Sequence, residues 1–238
     1  MRIFFQTVSI IAVVVLLTVA GAVAGKAPAE KAPNTGEKGG KVSPQAQAVS
    51  DYGLAAQLAA YGQKNDNPVA LLAAAQIMKS IEVQEKKREK QVAGTSVADA
   101  GEKKGAKLTP ESLLADAKKL VEGKDANMVA LIDKESKQMG SRGRDKGPSE
   151  TQERVLAEDT DIYHTTFKGK EVAKVLVISD GDCDIDLFVY DENGNLVAKD
   201  DDDTPHCLAE WTPKWTGSFT IKVKNWGSVY SDYVLMTN

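Results

Sequence analysis

Acidic side chains alternate along one short stretch in the C-terminal part of the sequence. Asp180, Asp182, Asp184 and Asp186 occupy every second position, and residues 200–203 form a run of aspartates. Alternate side chains of a β-strand lie on one face, so the first set would present its carboxylates side by side. Calcium is held by about six to eight oxygen ligands, which two such clusters would supply if a sandwich brought them together.

These aspartates predict a calcium site, and calcium is therefore the expected cofactor. The predicted ligands are Asp182, Asp184, Asp186, Asp200 and Asp202. The segment 191–195 does not extend this to an EF-hand, because the following Gly and the distal Glu are missing. The alternative is structural: the aspartates cap loops, accept hydrogen bonds from turns or lie solvated at the surface.

The two cysteines, Cys183 and Cys207, belong to the same acidic region. A disulfide between them would close a loop of about 24 residues and stabilise the fold by about 3 kcal/mol. It would also hold the two acidic clusters near each other, and we predict this disulfide. Two free thiols are the alternative, and a transition-metal site with His206 is weaker because no Cys-x-x-Cys spacing is present.

Sequence patterns of enzymes are absent. His164 and His206 are the two histidines, and no Gly-x-Ser-x-Gly segment accompanies them. There is also no phosphate loop and no dinucleotide fingerprint. The paired carboxylates lie in an acidic cluster rather than in an apolar cleft that would raise the pKa of one of them. We therefore predict no catalytic residues and no enzymatic activity.

Aromatic residues concentrate near the C-terminus. Trp211, Trp215, Trp226 and Tyr230 lie within twenty positions of one another. Such rings can stack on sugars, which would make the region a carbohydrate-binding platform. The alternative is that they pack in the core or at the rim of the fold.

In the region that carries these residues, the side-chain pattern repeats every two positions, as in β-strands. Leu187 and Val189 alternate with Phe188 and Tyr190, and residues 219–223 alternate in the same way. About eight short strands separated by turns predict an antiparallel β-sandwich. We place strands at Val155–Glu158, Ile162–Phe167, Val172–Ile178, Ile185–Tyr190, Asn195–Ala198, Phe219–Val223 and Tyr233–Thr237.

The preceding part has helical periodicity. Ser43-Pro44, Asn67-Pro68 and Thr109-Pro110 each join a capping side chain to a proline that is suited to the first helical turn. The first two predict a helical hairpin whose second helix runs to Lys90. Thr109 begins a third helix, and residues 124–138 predict a fourth.

The N-terminus predicts export. Arg2 precedes an apolar run, and Ala22 and Ala24 form a small-residue cleavage site. We predict a signal peptide at residues 1–24, a disordered linker at 25–42 and a helical region at 43–139 with an internal polar linker at 93–108. A second linker at 140–151 leads to the sandwich at 152–238. The fold class is thus multi-domain α+β, and the alternative for the first segment is an uncleaved membrane anchor.

The C-terminal region resembles the bacterial pre-peptidase C-terminal domain. The most specific matching segments are Asp184–Phe188 (DIDLF) and Thr216–Phe219 (TGSF), and the likeness spans residues 152–238. It implies a jelly-roll-like sandwich of the kind that accompanies secreted proteases, some relatives of which bind calcium or matrix polymers. The sequence holds no recognisable protease domain beside it.

Charge and export together indicate the class of protein. Residues 150–238 carry 18 acidic and 8 basic side chains, so a general nucleic-acid binder is excluded there. We predict a periplasmic or secreted, non-enzymatic binding or accessory protein whose partner is another exported protein or an envelope polymer. A carbohydrate- or matrix-binding module that uses the sandwich face is the alternative. Membrane contact is expected only through an uncleaved signal segment.

Overall fold

Helices dominate the first part of the described chain and strands the second, as the sequence predicts. The structure is a computed structural model that describes residues 31–36, 39–94, 108–137 and 147–238. Within these residues there are four helices and a sandwich of two five-stranded sheets, which confirms the α+β fold class. The predicted signal peptide, most of the internal polar linker and residues 138–146 lie outside the described ranges. Among the described helices, none is long and apolar enough to span a membrane.

The helices begin where the capping residues predict. Ser43 Oγ accepts a hydrogen bond from Ala46 N (3.1 Å), and Asn67 Oδ1 accepts one from Ala70 N (3.0 Å). Thr109 forms a reciprocal capping box with Ser112. The helices are α1 (Pro44–Lys64), α2 (Pro68–Ser80), α3 (Pro110–Val121) and α4 (Ala126–Lys137).

The second helix is shorter than predicted. It ends at Ser80 and not at Lys90. Residues 81–94 instead form an extended segment, here called the arm, that contains the short strands β1 (Gln84–Glu85) and β2 (Gln91–Ala93). β1 pairs in parallel with β3 of the first sheet, and β2 pairs antiparallel with β4 of the second. The arm therefore crosses from one sheet to the other at an edge of the sandwich.

Eight further strands form the sandwich itself. They are β3 (Ser149–Val155), β4 (Thr160–Phe167), β5 (Ala173–Ser179), β6 (Ile185–Tyr190), β7 (Leu196–Asp200), β8 (His206–Trp211), β9 (Gly217–Asn225) and β10 (Ser231–Thr237). Two differences from the sequence expectations stand out. The first strand ends at Val155 rather than starting there, because Glu158 has a left-handed turn conformation (φ 60°). β8 was not predicted.

The strand order is that of a jelly roll. The first sheet runs β1-β3-β10-β5-β8 and the second β2-β4-β9-β6-β7. From β3 onward, consecutive strands alternate between the sheets except for β6 and β7, which form a hairpin in the second sheet. Between the described strands, every pairing is antiparallel except that of β1 with β3. The jelly-roll expectation is therefore confirmed.

The two sheets differ in what covers their outer faces. All seven residues of β5 are buried, because one side faces the sandwich interior and the other faces the helices. Leu176, Ile178 and Met236 share a hydrophobic core with the helices, whereas Val175 and Val177 belong to the core between the sheets. In β9 of the second sheet, burial alternates along the strand. Residues Ala32–Asn238 form one compact unit.

Part of the segment predicted as a disordered linker is ordered against the sandwich. Asn34 N donates to Asp191 Oδ2 (2.8 Å), and Gly36 N donates to Thr212 O (2.6 Å). Lys41 N donates to Lys170 O (3.0 Å). These backbone donors find acceptors on the sandwich, which compensates for the low hydrophobicity that led to the linker prediction.

Two glycines of α1 test the packing of the helical layer. A Cβ on Gly53 would lie 3.4 Å from Leu176 Cδ1, whereas one on Gly62 would lie 2.7 Å from Leu71 Cδ2 and 3.1 Å from Asn67 O. Alanine favours a helix over glycine by about 1 kcal/mol. We expect Gly53→Ala to be neutral or to stabilise by up to about 1 kcal/mol in urea unfolding. Gly62→Ala should destabilise by about 1–3 kcal/mol through overpacking. Equal effects of the two substitutions would contradict this packing.

Candidate functional site

The acidic residues occupy two neighbouring loops and the adjoining strands. Asp180 accepts hydrogen bonds from Ser231 Oγ and from Asp232 N, both at 2.8 Å. Asp200 Oδ2 accepts one from Leu208 N at 2.7 Å and so ties β7 to β8. These two carboxylates hold backbone in place, as the structural alternative proposes.

The predicted ligands differ in their surroundings. Asp182 and Asp184 are exposed, and Asp202 accepts hydrogen bonds from the amide and hydroxyl of Thr204, which lower the pKa of its carboxyl. Asp186 is buried and accepts a 2.6 Å hydrogen bond from Trp226 Nε1. Burial raises the pKa of Asp186, and nearby aspartates add to the effect.

These carboxylates do not form a cation cage. In the described part of the chain, no three Asp, Glu, His or Cys side chains are arranged to hold a metal ion. Asp186, Asp200 and Asp202 are each engaged with a donor of the protein itself. Calcium binding by this set stays a prediction, and the chemistry of the site considered below does not depend on it.

The cysteines are free thiols in this structure, in contrast to the predicted disulfide. Cys183 Sγ lies 3.2 Å from Val229 O, and Cys207 Sγ lies 2.9 Å from Ile185 O, so each thiol faces a different backbone carbonyl. Burial raises the pKa of both thiols, most strongly that of Cys207, where nearby aspartates add to it. Both thiols are therefore protonated and weakly nucleophilic at neutral pH.

Neither histidine has the surroundings of a general base in a catalytic triad. His206 Nδ1 lies 2.9 Å from Pro205 O, and burial lowers the pKa of its ring. His164 Nδ1 lies 3.2 Å from Thr220 Oγ1 on an exposed surface. Among the described hydrogen bonds of His164, none reaches a carboxylate that would orient the ring.

The aromatic residues do not form one platform. Trp211 is buried in the sandwich core, edge-on to Phe167 with ring centroids 4.7 Å apart. Trp215 and Trp226 are 42% and 58% exposed, but they flank opposite ends of β9, about 30 Å apart by the rise of a strand. The ring of Tyr230 lies under the guanidinium of Arg154, with 3.8 Å between the ring centre and Arg154 Cζ. The hypothesis of a single cluster of tryptophans is therefore wrong.

The outer face of the second sheet carries aromatic and basic side chains. Because Ile221 and Val223 point into the core, their neighbours on β9 point outward. Lys222 Nζ lies 4.7 Å from the ring centre of Tyr190, and Lys224 Nζ lies equally far from that of Trp226. Both are cation–π contacts that fix the rings and the charges beside each other.

The register of the strands places these groups in rows. Thr220 of β9 is paired with His164 of β4 on one side and with Tyr190 of β6 on the other. Lys222 is paired in the next row with Ile162 and Phe188. We call this set the open face; it comprises Ile162, His164, Phe188, Tyr190, Thr220, Lys222, Lys224 and Trp226.

The edge beside the open face has a polar interior. Tyr233 Oη donates to Asp161 Oδ2 (2.7 Å) and is hydrogen-bonded to Tyr163 Oη. Asp161 is 1% exposed, and its charge is met by Lys90 Nζ of the arm at 3.2 Å. Lys90 also contacts Glu153 Oε2 at 3.0 Å.

Burial and hydrogen bonds set the protonation of Asp161 and Lys90 in this cluster. Burial raises the pKa of Asp161, although hydrogen bonds from Tyr233 and Lys90 favour its charged form. Burial opposes the charge of Lys90, but hydrogen bonds to Glu153 and Asp161 outweigh it and raise the pKa of the amine. The Lys90 ammonium is therefore a permanent part of the edge at neutral pH.

Arg88 fills the rest of this edge. Its guanidinium donates to three hydroxyls on three strands: Thr151 (3.0 Å) of β3, Thr165 (3.3 Å) of β4 and Thr237 (2.7 Å) of β10. The sequence pattern does not indicate this role, because it predicts a helix for the charged run 86–90. The signal was the alternation of Arg88 and Lys90, which puts both on one face of an extended segment.

Two recesses adjoin these residues. A cleft of about 910 Å³ lies between the arm and β4 and is lined by residues 86–91 with His164 and Thr165. A groove of about 430 Å³ lies between Leu108 and the ends of β3, β5 and β10. At its rim, Arg154 Nε donates to Asp232 Oδ1 (2.7 Å).

The thiols provide a direct test of the cysteine geometry. The denatured, unreduced chain should react with two equivalents of a thiol reagent, and the Cys183→Ser variant with one. In the native state, Cys207 should stay unreactive at neutral pH because it is buried and protonated. A denatured chain without reactive thiols would show that the disulfide forms and that this part of the structure is wrong.

Comparison with known proteins gives matches in structure alone. No family model matches the chain, and no curated protein matches it. The chain is similar to the pre-peptidase C-terminal domain of collagenase from Bacillus anthracis, with 16% identity, 38% of this chain and 89% of that chain covered, and a TM-score of 0.34. It is also similar to PliG of Aeromonas hydrophila, a periplasmic inhibitor of g-type lysozyme. This match has 13% identity, covers 42% of this chain and 91% of that chain, and has a TM-score of 0.31. The family that the sequence resembles thus reappears among the solved structures that match.

Proposed function

We propose that this chain is an exported, non-enzymatic binding protein and that the open face is its contact surface. Its partner is another exported protein or a polymer of the cell envelope. Export rests on the predicted signal peptide, and the absence of activity rests on the lack of a nucleophile–base–orienter set around either described histidine.

The observation that carries this proposal is the unequal covering of the two sheets. The helices bury the outer side of β5, so Leu176 and Ile178 lie in a core. On the second sheet, every outward residue of β9 between Thr220 and Lys224 keeps partial exposure. A sheet face that carries aromatic rings next to lysines, with no described element packed on it, supports a role in binding.

The character of the open face favours a polar partner. Two of its rings are accompanied by an ammonium group, in the pairs Tyr190–Lys222 and Trp226–Lys224. Aromatic side chains with a polar neighbour supply large contact area at low entropic cost, which suits recognition surfaces. A carbohydrate- or matrix-binding module remains the second candidate, since Trp226 is 58% exposed at the end of this face.

Co-sedimentation with washed bacterial envelopes and with purified peptidoglycan tests the proposal. The mature chain should bind at least one of the two materials. The Tyr190→Ala/Trp226→Ala variant should bind about tenfold more weakly, because exposed aromatic anchors dominate such interfaces.

A matched control removes exposed apolar side chains from the helical layer. Leu54 and Tyr61 of α1 are 51% and 55% exposed, so a Leu54→Ala/Tyr61→Ala variant loses similar surface away from the open face. It should bind as the unmodified chain does, and thermal melts should show all three proteins folded. Equal loss in both variants, or no binding of the unmodified chain to either material, would refute the open face as contact surface.

A further inference from the structure

The cleft between the arm and β4 has an excess of positive charge. Lys86 and Lys87 are exposed, and neither forms an ion pair with a described carboxylate. Glu89 is the one acidic side chain among the described residues of the lining. The charge of Lys90 is already balanced by Asp161 and Glu153. The positive net charge of the cleft lining therefore comes from Lys86, Lys87 and Arg88.

Arg88 adds a cation that its surroundings do not neutralise. Its described partners are three threonine hydroxyls, which satisfy hydrogen bonds but carry no charge. A guanidinium has five N–H donors, so two remain after these bonds. Burial lowers the pKa of Arg88, yet arginine stays protonated at any physiological pH. Arg88 is therefore a partly buried cation beside the cleft, and none of its described hydrogen-bond partners is an anion.

The cleft continues into the open face. His164 lines the cleft and is also the first member of the row His164–Thr220–Tyr190. Because neighbouring strands lie about 4.8 Å apart, this row runs about 10 Å from the cleft across the sheet. It ends at the ring of Tyr190, which has Lys222 beside it. Cations, a hydroxyl and an aromatic ring thus follow one another along one track.

We propose that this track binds an acidic polysaccharide, with its carboxylate or sulfate groups in the cleft and a sugar ring on Tyr190. The inference rests on the proposed function and names the ligand class of the same surface. Lys86, Lys87 and Arg88 meet the anionic groups, since a guanidinium with free donors suits an oxyanion. The imidazole of His164 and the hydroxyl of Thr220 face the sugar hydroxyls between the two ends.

Calorimetric titration with soluble polymers tests this ligand class. The probes are polygalacturonate, which carries carboxylates, dextran sulfate, which carries sulfates, and neutral dextran as the uncharged comparison. We expect binding of at least one acidic polymer that weakens as salt is raised, and no binding of neutral dextran. The Lys86→Ala/Lys87→Ala variant should bind the acidic polymer about tenfold more weakly.

A charge-matched control uses α4, where Lys134 and Lys137 are also exposed. The Lys134→Ala/Lys137→Ala variant removes the same net charge from the helical layer and should bind as the unmodified chain does. Equal weakening in both lysine variants would show a general effect of net charge and would overturn the proposal. Binding of inorganic phosphate or polyphosphate as tight as that of the acidic sugars would overturn the role of the sugar ring.

The outcome also separates this inference from the broader proposal. If envelope binding depends on Tyr190 and Trp226 while neither acidic polymer binds, the open face is a contact surface and the ligand class is wrong. If the acidic polymers bind and both the arm lysines and the Tyr190/Trp226 pair carry that binding, both proposals are supported. Arg88 is left unchanged in these variants because it also holds the edge of the sandwich together.

Discussion

A buried carboxylate at the edge of the sandwich constrains the rest of the structure. Asp161 is almost fully buried, and an isolated charge in such a place would cost several kcal/mol. Lys90 supplies the opposite charge and Tyr233 a hydrogen bond, so the edge is stable only with the arm in place. Because α2 ends at Ser80, the extended residues that follow bring Arg88 and Lys90 to this edge.

The arm has consequences for both sheets. By adding β1 to the first sheet and β2 to the second, it covers the outer edges of β3 and β4, which would otherwise expose unpaired backbone groups. At the other edge, the hydrogen bond from Leu208 N to Asp200 joins β7 to β8. With the helices on the first sheet, the outer face of the second sheet is the large surface that the described elements leave uncovered. Lys222 and Lys224, with the rings of Tyr190 and Trp226, lie on that surface.

Much of the fold was predictable because it depends on local chemistry. The Ser43, Asn67 and Thr109 caps mark the starts of three helices, and the alternation along β6 and β9 marks strands with one buried face. The alternation of Arg88 and Lys90 is a short local signal for the extended arm, but the path of the arm follows from distant partners such as Asp161. The sequence does not predict β8, because Cys207 and Ala209 are weak indicators of a strand and an acidic run precedes them.

The site was less predictable than the fold. Alternating aspartates indicated a shared metal, but their spacing does not show that Asp186 faces Trp226 or that Asp200 holds the β8 backbone. Tryptophans that are close in sequence are far apart in space because β9 separates Trp215 from Trp226. The open face and the cleft depend on strand register and on the crossing of the arm, which are long-range features.

A double-mutant cycle in urea tests most directly whether the arm and the sandwich edge depend on each other. Lys90→Met and Asp161→Asn are measured singly and together, each as the change in the free energy of unfolding. Each single substitution should lower the free energy of unfolding by about 3 kcal/mol or more. The double variant should lower it by about 1–3 kcal/mol less than the sum of the two single effects. Additive effects, or single substitutions that cost less than about 0.5 kcal/mol, would contradict the view that this buried pair fixes the arm.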